Sequence, residues 1–167
     1  SDKIEDIAKN EKYLWMDCGR TGRKDSLVIT YSPRGSPISS IVPLSLRDKD
    51  GNFILTDVPD LINDMRVRIY EKGEIPSSLL YRLSEESFLS SLKIAFDSKP
   101  DIYRKLIEYM IERHVEKEEV LRKLMEKLEK YMFLRREAVS QKDEERKFLI
   151  VEIFRSCKLL LGGLRGD

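Results

Sequence analysis

Val120-Leu121-Arg122-Lys123-Leu124-Met125-Glu126-Lys127-Leu128-Glu129-Lys130-Tyr131-Met132 decides how the second half of this chain folds. Val120, Leu121, Leu124, Met125, Leu128, Tyr131, Met132 and then Arg135 recur at three- and four-residue steps, with Lys, Glu and Arg between them. That period gathers the apolar side chains into one stripe and the charges on the opposite face of a helix. Such a stripe must be buried against the rest of the chain or against a partner.

Outward from it, residues 79–164 read almost without interruption as amphipathic helix. Ile75-Pro76-Ser77-Ser78 breaks the composition, and Ser77 or Ser78 can cap a first helix over 79–96, with Leu79, Leu83, Leu89, Leu92 and Phe96 inward. Ser98 or Lys99 then caps a second helix that has Pro100 and Asp101 in its first turn. Ile102, Leu106, Tyr109, Met110 and Arg113 form its stripe. The register slips over 115–119, which predicts a break before a third helix over 120–139. A polar connector follows, and a last helix runs from about Asp143 to Leu161, where Gly162-Gly163 stops it. Four helices with short connections predict a bundle.

Upstream the pattern changes to short runs punctuated by Gly and Pro. Residues 1–12 read as a polar arm or short helix. Strands are expected over 13–18, 26–31 and 38–46, the last bent or at an edge because of Pro43. Asp50-Gly51 predicts a turn after which 53–56 pairs back, and a short helix is expected near 59–65. Residues 67–70 read as a further strand or a helix start. The expected fold class is therefore α+β. A small β-rich N-terminal module with its arm (1–75) precedes a mainly α-helical bundle domain (79–167) of about four helices.

Composition narrows the function. The chain has 167 residues, of which 37% are charged and 41% hydrophobic, with a net charge of +1. Charge is plentiful but balanced, so no global field draws the protein to nucleic acid or membrane. Lys, Glu and Arg dominate while Gln141 is the only glutamine. This matches the hyperthermophile trend and implies a thermophilic, archaeal source. No apolar run approaches the ~20 residues that span a bilayer, and the first residues lack the apolar centre of a signal peptide. A soluble, cytoplasmic protein is expected, with no membrane partner. Cys18 and Cys157 share no metal-ligand spacing with each other or with His114, and read as two small buried hydrophobes.

Gly19-Arg20-Thr21-Gly22-Arg23-Lys24 is the one segment that resembles a ligand loop. Its glycine spacing does not fit a P-loop, and a strand rather than a helix follows it. Two readings stand. It is a solvated hairpin loop, or Arg20, Arg23 and Lys24, with Arg34 on the next loop, contact a nucleic-acid backbone without reading sequence. Asp48, Asp50 and Asn52 alternate like a calcium loop, but no Glu stands at position twelve, so this is a turn. His114, near a helix end, reads as a partner of terminal carbonyls or solvent. The acidic pairs read as solvated helix faces. Arg135-Arg136, Arg146-Lys147, Arg155 and Lys158 form either a basic patch or ion pairs with Glu144, Glu145 and Glu152. No catalytic residue, metal site or cofactor site is expected, and the chain reads as a non-enzyme.

Leu134-Arg135-Arg136 at the end of a long helix, Glu144-Glu145-Arg146 after a polar connector, and Phe148, Leu149, Val151, Ile153, Phe154, Leu160 and Leu161 on the last helix resemble the helical domain of GINS subunits. GINS is a component of the archaeal and eukaryotic replicative helicase. Ile41-Val42-Pro43-Leu44-Ser45-Leu46 is similar to the β-domain of the subclass in which that domain comes first. The resemblance implies a non-enzymatic scaffold of the DNA replication machinery that assembles with other subunits and links the MCM helicase to a RecJ-like partner.

A hetero-oligomer, or a homo-oligomer, is expected to form through the helical part. Tyr131, Phe133, Phe148 and Phe154, with Arg135 and Arg136, are the expected interface, because four aromatics are hard to bury in one small bundle. The alternative is a nucleic-acid-binding accessory protein that uses the basic hairpin loop.

Overall fold

The computed structural model describes residues 14–16, 26–31, 38–43, 50–137 and 147–165, with side chains over 50–135 and 148–161. The arm, the Arg20–Lys24 loop, Arg34, Cys18 and the connector 138–146 lie outside the described residues.

Asp50 and Gly51 make the expected turn, with Gly51 at φ 86°, where glycine escapes the Cβ penalty. Helix α1 (Val58–Arg66) follows. Pro59 needs no partner for a missing N–H in the first turn, Asp60 meets the positive helix end, and Arg66 meets the negative one. Val58, Leu61, Ile62 and Met65 are its buried side, at the spacing of a helix. The helix continues into a π-helical turn, Val67–Glu71, in which the Lys72 N–H donates to the Val67 carbonyl at 2.9 Å. Ile69 carries the buried stripe into this turn, and Gly73 at φ 63° reverses the chain.

Helix α2 (Ser78–Leu83) buries Leu79, Leu80 and Leu83. It stops at Ser84, whose hydroxyl donates back to the Leu80 carbonyl at 2.8 Å, and Glu85 is extended. Helix α3 (Glu86–Ser98) buries Phe88, Leu92 and Ala95. Lys99 separates it from α4 (Pro100–Glu112), which buries Tyr103, Ile107 and Ile111. Helix α5 (Glu118–Leu128) has Glu118 and Glu119 in its first turn and buries Val120, Leu124 and Leu128. A 3₁₀ turn (Glu129–Tyr131) ends it.

The last helix, α6 (Leu149–Arg165), is the centre of the molecule. Leu149, Ile150, Val151, Ile153, Phe154, Cys157, Leu159 and Leu161 are all buried, so it is enclosed on nearly every side. Helices α1 and α2 pack on it, α3 and α4 form a hairpin with each other, and α4 touches α2 and α5. One connected apolar core runs from Leu55 to Leu161. At ~1.5–3 kcal/mol for each fully buried aliphatic or aromatic side chain, α6 is its largest contributor.

The expected α+β class does not hold, because the described part is 73% helical. The short helix expected near 59–65 is present as α1, and 67–71, read as a strand or a helix start, continues it as the π turn, so no strand of a β-rich module forms there. Apolar spacing at three and four residues outweighs the β-branched content there. The strands are short: β1 (Leu14–Met16), β2 (Ser26–Tyr31), β3 (Ile38–Pro43), β4 (Arg135–Glu137) and β5 (Lys147–Phe148). They do not make a module of their own. β1 pairs antiparallel with β4, with Leu14 opposite Glu137, while β2 and β3 pair and lie against α6.

The third and fourth helices are also shorter than expected. The chain leaves the helix after Tyr131, and Leu134–Glu137 is extended, so the Leu134-Arg135-Arg136 run that resembles GINS does not end a helix. The final helix begins at Leu149, after the acidic residues rather than at them. Backbone pairing of β4 with both β1 and β5 supplies the hydrogen bonds that two further helical turns would have made.

Candidate functional site

The aromatic residues expected at an interface are in the core. Tyr131, Phe148 and Phe154 are each no more than 2% exposed, and Phe133 is half-buried. Tyr103, absent from the expected interface, joins two of them, Phe133 and Phe148, to Phe96. Its ring is 4.7 Å from Phe148, 5.3 Å from Phe96 and 5.8 Å from Phe133, centroid to centroid. Its hydroxyl donates to the Met132 carbonyl at 2.6 Å, and burial pushes its pKa well up. Arg135 lies over the Phe96 ring at 4.4 Å. The side chain of Arg136 is outside the described residues. The expected interface thus loses its warrant. Residues from α3, α4 and the segment after α5 enclose these aromatics, a convergence that a period read along one helix does not reveal.

Charged clusters tie the elements together. Asp57, at the start of α1, accepts from the Tyr131 hydroxyl and from the Lys130 ammonium. Burial alone would raise the Asp57 pKa, but these two donors outweigh it and hold it below the ordinary carboxylate value. Asp64 is depressed in the same way, burial being outweighed by bonds from Arg68 at 3.0 Å and Lys127 at 3.1 Å. Arg68 also reaches Glu74 at 2.8 Å, and Arg104 grips both oxygens of Glu129. Lys127–Asp64 and Arg104–Glu129 join separate elements, while Arg68 bonds within its own helical segment and to the loop after it. His114 is paired through Nδ1 with the Met110 carbonyl at 2.7 Å. Cys157 is fully buried, and burial pushes its thiol up to about 12, far from a reactive thiolate. Among the described residues no group of His, Cys, Asp and Glu could hold a metal ion, and no helix is long and apolar enough to cross a membrane.

Among the described residues, Phe53, Tyr81 and three side chains of the α3–α4 hairpin are the large hydrophobics left exposed. Ile94 is 68% exposed, Tyr109 58% and Ile102 43%. On α3, Ser87, Ser91, Ile94 and Ser98 follow at steps of four, three and four. On α4, Ile102, Leu106, Tyr109 and Arg113 do the same, so each set forms one row. A cleft of ≈ 420 Å³ is lined by Ser87 and Ser91 from one helix and by Met110 and Arg113 from the other. That shared lining sets the Ser87–Ser91 end of one row beside the Arg113 end of the other.

Sequence reading assigned Ile102 and Tyr109 to the inward stripe of this helix. The structure instead turns Tyr103, Ile107 and Ile111 inward. The helix is apolar on two adjacent faces, and that double stripe was the available signal for an exposed apolar surface. No protein-family model, no curated protein and no solved structure matches this chain.

Proposed function

We propose that this chain is a non-enzymatic assembly subunit that works by binding other proteins. Its place would be in the DNA replication machinery, as a GINS-like scaffold between the MCM helicase and a RecJ-like partner. The observation that supports a binding role is the row of Ile94, Ile102 and Tyr109 on the α3–α4 hairpin. These three large apolar side chains stay exposed on one helical hairpin beside a continuous core. An apolar surface of this kind costs solubility unless a partner covers it. The placement within replication rests on the resemblance of the apolar run Phe148–Leu161 and of Ile41–Leu46 to GINS subunits, since Leu134–Arg136 does not end a helix and Glu144 does not lead one.

The test uses purified components. The tagged chain is mixed with an MCM ring and with a RecJ-like nuclease from an archaeon, and complexes are read by size-exclusion chromatography with light scattering. Association that is abolished by Ile94→Glu with Ile102→Glu is the expected result. A chain that stays monomeric in every mixture refutes the reading.

A further inference from the structure

A second group of side chains, which shares Tyr109 and Arg113 with the α4 row, carries cations and exposed tyrosines together. On α2, Tyr81 is 47% exposed, and the Lys158 ammonium of α6 sits 4.6 Å from its ring centroid. On α4, Tyr109 is 58% exposed, with the Arg113 guanidinium 5.5 Å from its ring centroid. Arg82, next to Tyr81 in the chain and 3.2 Å from Glu85, and His114 line the cleft that Arg113 also lines.

Lys158 is coupled to this row at its far end. Partial burial lowers its pKa, as does repulsion from Arg155 one turn away, while Glu85 acts in the opposite sense. Lys158, Arg82 and Arg113 thus stand on three helices, with Glu85 acting on both Arg82 and Lys158, while Arg155 is paired with Glu152 at 3.4 Å. The exposed carboxylates of Glu86 and Glu112 lie beside the row in sequence.

We infer that the α2–α4–α6 surface carrying Tyr81, Arg82, Arg113 and Lys158 binds single-stranded nucleic acid, with the phosphates on the cations and a base stacked on the open face of Tyr81. Single strands are bound by this combination: a track of cations for the backbone, and aromatic rings on which any base can stack. A cation resting on one face of a tyrosine leaves the other face for a base and adds its own attraction to the ring. A duplex offers phosphates but no unstacked base, so Tyr81 favours the single strand. An acidic protein segment would use the cations alike but would gain little from the rings. This surface shares no residue with the Arg20–Lys24 loop. It shares Tyr109 with the apolar row of the scaffold reading, and the Ile94→Glu variant separates the two.

The experiment is fluorescence anisotropy of a labelled oligothymidylate with the full chain at two salt concentrations. A duplex of equal length and poly-glutamate serve as competitors. The variants are Tyr81→Ala, Tyr81→Phe, Lys158→Gln and Arg113→Gln, each checked for folding by circular dichroism. A loop variant with Arg20, Arg23, Lys24 and Arg34 changed to Ala, and Ile94→Glu, complete the set. The proposal expects salt-dependent binding to the single strand. Tyr81→Ala should weaken it roughly tenfold, the loss of one stacked base, and Tyr81→Phe should preserve it. Lys158→Gln and Arg113→Gln should each flatten the log–log salt slope by about 0.7. Ile94→Glu should bind as the parent does.

Absence of binding by the parent at low salt overturns the proposal. So does binding lost in the loop variant but unchanged in Lys158→Gln and Arg113→Gln. Equal competition by poly-glutamate with no effect of Tyr81→Ala overturns it in favour of an acidic protein partner. Should Tyr81→Ala fail to fold, the two charge variants and Tyr81→Phe decide alone.

Discussion

Replacing Phe148 by Ala distinguishes a core residue from an interface residue, the question on which sequence and structure part. Phe148 is 2% exposed, stacked in a tilted arrangement on Tyr103 at 4.7 Å and on Phe96 at 5.5 Å. Truncation removes the ring's transfer free energy and leaves a cavity that its two ring neighbours cannot fill, a cost of ~3–5 kcal/mol. Part of that loss belongs to the aromatic pair itself. A double-mutant cycle with Tyr103→Leu should return a coupling of about 0.5–1.5 kcal/mol. For a chain of this size each kcal/mol moves the melting temperature by roughly 2–4 °C, so a fall of about 6–20 °C is expected in calorimetry. The urea midpoint should shift without a change in slope. If Phe148 were instead an exposed anchor for a partner, the isolated chain would lose less than about 0.5 kcal/mol. That small loss, together with weakened association, would refute the core assignment.

Three further outcomes follow from the geometry. Tyr103→Phe keeps the ring but strands the Met132 carbonyl, which now accepts at 2.6 Å in the core, and should cost ~1–3 kcal/mol in chemical denaturation. The depressed carboxyls of Asp57 and Asp64 make stability pH-dependent. Their folded pKa lies below the unfolded value near 3.8, so their contribution is complete above that value and is lost as pH falls through the folded pKa. Urea midpoints measured from neutral pH down to about 3 should therefore drop, and more steeply than in Asp64→Asn, where one of the two groups is gone. Finally, Ile94→Glu with Ile102→Glu should leave the melting temperature within roughly 2 °C of the parent, because both positions are exposed. A large fall would show that the α3–α4 face is part of the core after all.

The sequence by itself determined where helices form over much of the chain, because a stripe at three- and four-residue steps is written into neighbouring residues. The runs behind α3, α4, α5 and α6, Pro100 and Asp101 at the start of α4, and the Asp50-Gly51 turn all belong here. The contact between His114 and a carbonyl near its helix end belongs with them, since a residue so near a terminus meets unpaired carbonyls locally.

Tertiary structure decided what no local period contains. It chose which of two apolar faces of α4 turns inward, because Tyr103 could reach Phe96, Phe148 and the Met132 carbonyl at once while Tyr109 could not. It turned the segment Leu134–Glu137 from helix to extended chain, since pairing with β1 lies more than a hundred residues away in sequence. It also enclosed α6, whose apolar residues nearly all round need neighbours that only the folded chain supplies. The surfaces left open, Ile94 with Ile102 and Tyr81 with Lys158, are what remained once those long-range contacts were made. Their exposure is a property of the packed molecule rather than of any stretch of its sequence.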